Sequence, residues 1–358
     1  RTREFNPRMS EEVTVHESRI HICTSGDSER WDAFVSGHPE CTSYHRWSWK
    51  AVFEDVFGWP GVYLIAEQQG TVCGILPLIK QKCLLRSYLS SMPHLKGGGI
   101  VAHNNEIENL LFQAAVHITR QSEATYLELR HLTQHHLPLV SRQDKVGAVL
   151  AIESDETERL RRLDKKTRNL VRKSLTNGMT AHFGGLELLS QFYSVYGQNM
   201  RDLGSPAYSR RFFSEIMKRF PDESYICATR LGSKVVAAAF MIGFRETIEV
   251  AWASSSRNHL TLKPNMFLYW NILGFAAERG YRFLDFGRSS KESGTYEFKL
   301  QWGAVPSEFH WSYWFNGEAT VPNTKADGMQ AARRIWRRLP LSLTNVFGPT
   351  LIRHIPGI

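Results

Sequence analysis

Hydrophobic positions along the chain switch between a period of two and a period near 3.6, and the order of switching repeats. In the first half, Arg19–Thr24 alternates as a short strand, and Ser25–Asp27 offer N-cap oxygens for a helix through Trp31 and Phe34. A second helix is predicted over Trp47–Phe57, stopped by Gly58-Trp-Pro60. Val62–Ala66 and Thr71–Ile79 flank Gln68-Gln-Gly70, the pattern of strand, tight turn and strand. Gly97-Gly-Gly99 reads as a bulge or turn, Glu106–Gln121 is a helix by spacing, and Tyr126–Arg130 is a further strand.

The second half runs through the same series. Helices are predicted over Leu186–Leu203 and Ser209–Phe220, followed by strands Tyr225–Thr229 and Lys234–Ile242 around Leu231-Gly. A strand over Ile248–Ser254, a helix over Asn265–Arg279 and a strand over Arg282–Asp285 complete it. Tyr63 aligns with Tyr225 at an offset of 162, and Tyr126 aligns with Arg282 at an offset of 156. Two nearly equal offsets with matching element order indicate an internal duplication of a unit of about 150 residues. An antiparallel meander followed by a helix and another strand implies an α/β (α+β) fold. Each unit is then a mixed, mostly antiparallel sheet flanked by helices. The expected spans are 10–152, 153–316 and a basic amphipathic tail, 317–358.

Composition narrows the class without choosing a partner. The 358 residues carry 44 Lys and Arg against 35 Asp and Glu, a net charge of +9. That modest excess suits a phosphate-rich ligand, a nucleic acid or an anionic membrane surface. Five cysteines with no C-x-x-C pair argue against a disulfide framework and a zinc site, and for a reducing compartment. Residues 1–8 show no apolar h-region, and no run reaches about 18 apolar residues. A soluble cytoplasmic protein is expected. The G-x-S-x-G, H-E-x-x-H and P-loop patterns are missing, the 14 histidines are scattered with His135-His136 in a surface loop, and no metal is expected.

Two basic stretches stand out. Between Arg159 and Lys173 lie eight cations against Asp164, and Leu160, Leu163, Leu170 and Val171 would give one amphipathic helix. It is either a solvated face or a cradle for a polyanion held by Arg168 and Arg172. In the tail, Ala331–Pro340 is a short basic helix and 341–358 is apolar. It either packs on the body or rests on an anionic membrane with Trp336 and Leu339 inserted.

The chemistry concentrates in Asp285-Phe-Gly-Arg-Ser-Ser-Lys-Glu-Ser-Gly-Thr-Tyr-Glu-Phe-Lys-Leu-Gln-Trp-Gly303. A strand ends at Asp285 and Gly287 permits a sharp turn. On a helix, Thr295 and Tyr296 would share a face with Lys299. Arg288, Ser289 and Lys299 would suit an anionic ligand or a developing oxyanion. The plainer alternative is that Phe298 and Trp302 are core and the cations solvated.

This segment resembles the C-terminal signature of FemAB-family proteins, in the branch found with exosortase/PEP-CTERM systems. Lys166-Thr-Arg-Asn-Leu-Val-Arg-Lys-Ser…Asn177-Gly, Asn199-Met-Arg-Asp-Leu-Gly-Ser-Pro206 and Trp336-Arg-Arg-Leu-Pro-Leu…Gly348-Pro agree with it in order. The resemblance implies two tandem GNAT-like (N-acetyltransferase-like) acyl-CoA N-acyltransferase domains, the second carrying the site. The implied activity is acyl or aminoacyl transfer to an amine on a cell-envelope or exopolysaccharide-related acceptor. No permanently bound cofactor is implied. The donor is a cosubstrate: aminoacyl-tRNA, acyl-CoA or acyl carrier protein. The family's Phe-Lys signature maps onto Phe298-Lys299, with Lys299 stabilising charge on the reacting acyl group. Tyr296 or Tyr269 would donate a proton to the leaving atom, and Asp285 would orient Arg288.

Two departures qualify the match. GNAT enzymes cradle the CoA pyrophosphate with R/Q-x-x-G-x-G/A between strand and helix, but Arg257–Met266 contains no glycine. Arg257, Lys263 and the helix start at Asn265 would still suit phosphate. The helical-hairpin insertion of some peptidoglycan-bridge enzymes has no counterpart. Competing readings are a catalytically inactive GNAT-like scaffold in an envelope-assembly complex and a nucleic-acid-binding protein.

Overall fold

In the computed structural model, the residues described are 14–15, 18–83, 86–142, 144–318, 321 and 327–355. They begin with β1 (Thr14–Val15), β2 (Ser18–Ile22), α1 (Ser28–Gly37), α2 (Trp49–Phe57), β3 (Gly61–Gln68) and β4 (Thr71–Lys82). β5 (Ser87–Ser90), β6 (Val101–Ala102), α3 (Asn105–Gln121), β7 (Tyr126–His131) and β8 (Val140–Arg142) follow. Next come β9 (Lys145–Ala151), α4 (Glu156–Arg162), α5 (Lys165–Leu175), β10 (Met179–Gly184), α6 (Leu189–Leu203) and α7 (Arg210–Arg219). The series continues through β11 (Ser224–Leu231), β12 (Lys234–Phe244), β13 (Thr247–Ser255), α8 (Pro264–Glu278), β14 (Phe283–Asp285) and β15 (Ser289–Ser290). It ends with α9 (Gly294–Leu300), β16 (Val305–Glu308), β17 (His310–Phe315), α10 (Asp327–Trp336) and α11 (Leu341–Leu351).

These elements form two compact units, one of 1–142 with 310–321 and the other of 143–309 with 322–358. Each contains a mixed sheet flanked by helices. In the first, the strand order is β1-β2-β3-β4-β5-β7-β17-β8 with β6 on β4, and in the second it is β10-β11-β12-β13-β14-β9-β15 with β16 on β9. Pairing is antiparallel throughout except for β5 with β7 and β13 with β14. A meander followed by a helical crossover makes that one parallel pair in each unit. The completing strand of each sheet comes from a distant part of the sequence: β17 lies beside β7, and β9 beside β14.

The single basic helix expected over 159–173 is two helices. α4 stops at Arg162, and Asp164 starts α5 by accepting the Thr167 amide at 2.9 Å. A short acidic side chain three residues before a backbone amide competes with continuation of the helix. α8 is apolar on nearly every side and buries Met266, Leu268, Tyr269, Trp270, Ile272 and Leu273 in the core of the second unit. The tail packs on α6 and the loop after it, where a Cβ at Gly348 would lie 3.0 Å from the Ala207 amide nitrogen and force the backbone there to shift. Among the described residues, no helix is long and apolar enough to cross a membrane.

The first unit contains a pH-sensitive packing element. His45 is buried, its Nδ1 accepts the Thr42 amide at 3.0 Å and its Nε2 bonds the Gly99 carbonyl at 3.0 Å. Burial lowers its pKa from 6.5 to about 4. The folded unit therefore resists a proton that the unfolded chain accepts. Stability is full above pH 6.5 and declines as pH falls toward about 4, by about 3 kcal/mol from this group. Thermal unfolding across that window should show a shallower pH dependence in His45→Gln than in the natural chain. Equal slopes would remove His45 from the account.

Candidate functional site

The second unit opens where its parallel strands end. The β13–β14 register runs Thr247 with Phe283, Ile248 with Leu284 and Glu249 with Asp285. β13 then continues to Ser255, whereas the other strand is interrupted at Phe286-Gly287 and runs on along β9 as β15. Gly287 has φ of +68°, and a Cβ there would lie 2.8 Å from the Val250 carbonyl oxygen. Its backbone amide donates to the Asp285 carboxylate at 2.8 Å. Glycine and aspartate together thus hold a turn that a larger residue at 287 would push off β13.

Lys299 reaches this turn from α9. Ser293 caps the helix by accepting the Tyr296 amide at 3.2 Å. Phe298 and Trp302 anchor it on Tyr269, with ring centroids 5.2 and 6.2 Å away, and Tyr269 stacks on Phe286. Lys299 is only 5% exposed, and its ammonium donates to the carbonyls of Gly287 at 2.8 Å and Arg288 at 3.1 Å. Glu249 and Asp285, register partners on neighbouring strands, are both buried close by. The result is a fixed cation at the edge of a strand divergence, in surroundings that exclude water. Such a charge acts more strongly than one in solvent. Burial pushes the Tyr269 phenol above its ordinary range, so it is a protonated group at neutral pH.

The structure brings Asp285, Arg288, Ser289 and Lys299 to one turn. Tyr269, Phe298 and Trp302 form the aromatic support beneath it. Tyr296 is half-buried and precedes Lys299 by three positions on the same helix; Thr295 is exposed and shares a hydrogen bond with the Ser293 hydroxyl at 3.0 Å. Thr167 bonds the Gln301 carbonyl at 3.1 Å, which joins the start of α5 to the end of α9. The neighbouring Arg168 donates to the Leu163 carbonyl at 2.9 Å, and Arg172 is exposed.

The junction between β13 and α8 departs from a phosphate cradle in structure as well as sequence. Residues 257–262 wind into a 3₁₀ helix, and Lys263 takes a left-handed conformation with φ of 58°. Pro264, the first residue of α8, has no amide hydrogen, and the amides of Met266 and Phe267 both bond the Lys263 carbonyl. A helix start that spends its donors this way has little left for a pyrophosphate. Arg257 is exposed and donates to the Asp202 carbonyl at 3.3 Å, while Asn265 sits half-buried in the first turn.

Sequence reasoning missed the cavity that adjoins Arg288. It measures about 490 Å³ and is lined by Lys145 from β9, Tyr196 and Met200 from α6, Trp252 from β13 and Trp336 from α10. Trp336 lines this cavity, which agrees with the alternative in which the tail packs on the body, and the large apolar side chains that the tail exposes are Ile335, Leu343, Val346, Phe347 and Leu351. Lys145 gave no signal in the sequence because it lies some 145 positions from Ser290, whose hydroxyl its ammonium meets at 2.8 Å.

Comparison with known proteins agrees with this architecture. The family model described as "Acetyltransferase (GNAT) domain" matches residues 158–300, which span the divergence, α8 and α9. Among solved structures, FemX superposes with a TM-score of 0.63 at 16% identity, over 81% of this chain and 96% of its own. The tandem GNAT protein from the clavulanic acid biosynthesis pathway gives 0.58 at 10% identity, over 85% and 100%. L-PGS from Bacillus licheniformis gives 0.54 at 12% identity, over 87% and 98%. No protein of curated function matches the chain. Residues 158–300 thus match the GNAT acetyltransferase domain, and the fold of two mixed sheets flanked by helices is that of tandem GNAT-like proteins.

Proposed function

We propose that the second unit transfers an acyl or aminoacyl group from an activated ester or thioester to an amine. The observation that carries this reading is the buried Lys299 ammonium, fixed by two carbonyls at the β13–β14 divergence. In the reaction the amine nitrogen attacks the acyl carbon and a C–N bond forms. The bond from that carbon to oxygen or sulfur breaks, and the proton lost by nitrogen ends on the departing atom. Lys299 stabilises the oxyanion formed between these events, where a preorganised charge acts on the transition state more than on the ground state. Tyr296 relays that proton, giving its phenolic hydrogen to the leaving atom and taking up the one that nitrogen loses. Asp285 keeps the Gly287 turn in place, and Arg288 and Ser289 contact the substrate. Arg168 and Arg172 extend the cationic surface along α5.

The crowded start of α8 supports a donor other than free acyl-CoA, such as aminoacyl-tRNA or a carrier-bound acyl group. Arg257, Lys263 and Asn265 then contact its phosphates from the side. The envelope or exopolysaccharide setting of the acceptor rests on the resemblance to the exosortase-associated FemAB branch.

The test is native mass spectrometry of the full chain presented with acyl-CoAs, charged tRNA and uncharged tRNA. Retention of charged tRNA above uncharged is the expected result. Retention of a CoA thioester would overturn the donor assignment. Failure to retain or turn over any of these, or an acyl carrier protein, would overturn acyl transfer and leave the scaffold reading.

A further inference from the structure

The cavity beside Arg288 is lined by both cationic and apolar side chains. β15 pairs with β9 so that Ser290 faces Lys145, and Arg288 precedes Ser290 by two residues. Lys145 and Arg288 both line the cavity, as does Arg333 from the tail, and the Asp144 carboxylate lies 3.6 Å from the Lys145 ammonium. Most of the remaining wall is apolar or aromatic, with Trp252, Tyr208 and Met200 on one side and Trp336 and Ile352 from the tail on the other. At about 490 Å³ it is large enough for a ligand rather than a few waters.

The tail side of the wall carries a second signal. Trp336 Nε1 and His354 Nδ1 are buried, and neither has a hydrogen-bond partner among the described residues. Both belong to residues that line the cavity. Each can be met by ordered water or by a polar atom of a bound molecule. The tail is nevertheless closely fitted, through Gly348 against Ala207. It also lies outside the segment 158–300 that matches the GNAT domain.

We infer that this cavity binds an amphiphile, an apolar chain ending in a phosphate monoester, with the tail as one of its walls. The chain lies along Trp252, Tyr208 and Trp336, and the phosphate sits on Lys145 and Arg288. The Lys299 ammonium holds the Arg288 carbonyl, so an anion on Arg288 lies beside the turn assigned to acyl transfer. Making this amphiphile the anchor of the amine acceptor rests on the acyl-transfer reading; the binding site does not.

Two of the wall residues are tryptophans, which gives a direct readout. The full chain is titrated with a bromine-labelled dodecyl phosphate below its micelle concentration, with the labelled dodecanol and inorganic phosphate as controls. Saturable quenching by the phosphate ester is expected, at least tenfold weaker for the alcohol and for Arg288→Ala. Trp336→Phe should lose part of the quenching, and inorganic phosphate should give none. Lys145→Gln provides a second variant, and thermal unfolding shows that each variant is folded. Equal affinity for the alcohol, or unchanged affinity in both folded cation variants, would overturn the site. So would quenching that occurs only when the ester is carried in phosphatidylcholine vesicles, because the anion would then be read at a lipid surface. Transfer to a short soluble amine is assayed on the same preparation. Transfer without amphiphile binding overturns this inference alone, whereas binding without transfer to any acceptor supports it and counts against acyl transfer.

Discussion

Replacing Lys299 by methionine is expected to lower kcat/KM for acyl transfer by about 10²–10³-fold, with the loss in kcat rather than in the donor KM. Methionine keeps most of the volume of a side chain that is 5% exposed, so the packing of α9 on Tyr269 is retained. What disappears is the charge and two hydrogen bonds to the Gly287 and Arg288 carbonyls. Those carbonyls lose a donor in a buried site, at about 1–3 kcal/mol each, and melting will fall. The kinetic split separates the two consequences. A lysine that only steadies the turn would, when lost, misplace Arg288 and raise KM. A lysine that meets the oxyanion leaves ground-state binding nearly intact. Added alkylammonium ions should restore part of the Lys299→Met activity but none of its melting temperature. Near-natural kcat in Lys299→Met with an identified donor would end the assignment.

The sequence carried the repeated framework because that framework is periodic. Strand-turn-strand around Gln68-Gln-Gly70 and again around Leu231-Gly follows from local alternation and turn chemistry, and both hairpins form. Lys299 was legible for a different reason: Phe298-Lys299 stands in a dense motif within a short stretch of chain. Features that depend on distant pairing were not legible. Nothing local in Lys145–Ala151 marks it as the strand beside Asp285, and nothing in His310–Phe315 marks it as the strand beside β7. The same applies to Trp336, whose amphipathic setting fits a membrane surface as well as a cavity wall. Asp164 is an instructive intermediate. Its capping bond to Thr167 follows from a local spacing, whereas the leucine stripe alone is compatible with one continuous helix.

The same fold logic gives the largest stability effect to Arg130, in the first unit. There β5 and β7 form the parallel pair, with Ser90 opposite Glu128, as Glu249 stands opposite Asp285 in the second unit. In the first unit the region beyond that pair is filled. Arg130 is 1% exposed; it donates to both Glu128 carboxylate oxygens at 3.1 and 3.3 Å and to the Leu95 carbonyl at 2.7 Å. Its guanidinium lies 4.2 Å from the Trp311 ring centroid, and the Trp311 indole donates to the Lys96 carbonyl. Ser90 and Tyr313 also donate to Glu128, each at 2.7 Å. Burial alone would push the Glu128 carboxyl up, but Arg130 and these hydroxyls hold it below its ordinary value. Arg130→Met leaves that carboxylate buried without its cation, which should cost about 3–5 kcal/mol. The double variant Glu128→Gln with Arg130→Met removes the orphaned charge and should recover most of the loss, a coupling read by chemical denaturation of all four proteins. The cavity lined by Arg130 and His131 measures only about 50 Å³, against about 490 Å³ beside Arg288. A divergence occupied by a buried ion pair offers less space to an acyl group, which favours the other unit for the proposed chemistry. Additive losses in the double variant would show that Glu128 and Arg130 act separately, and the closure would then rest on Trp311 and its neighbours instead.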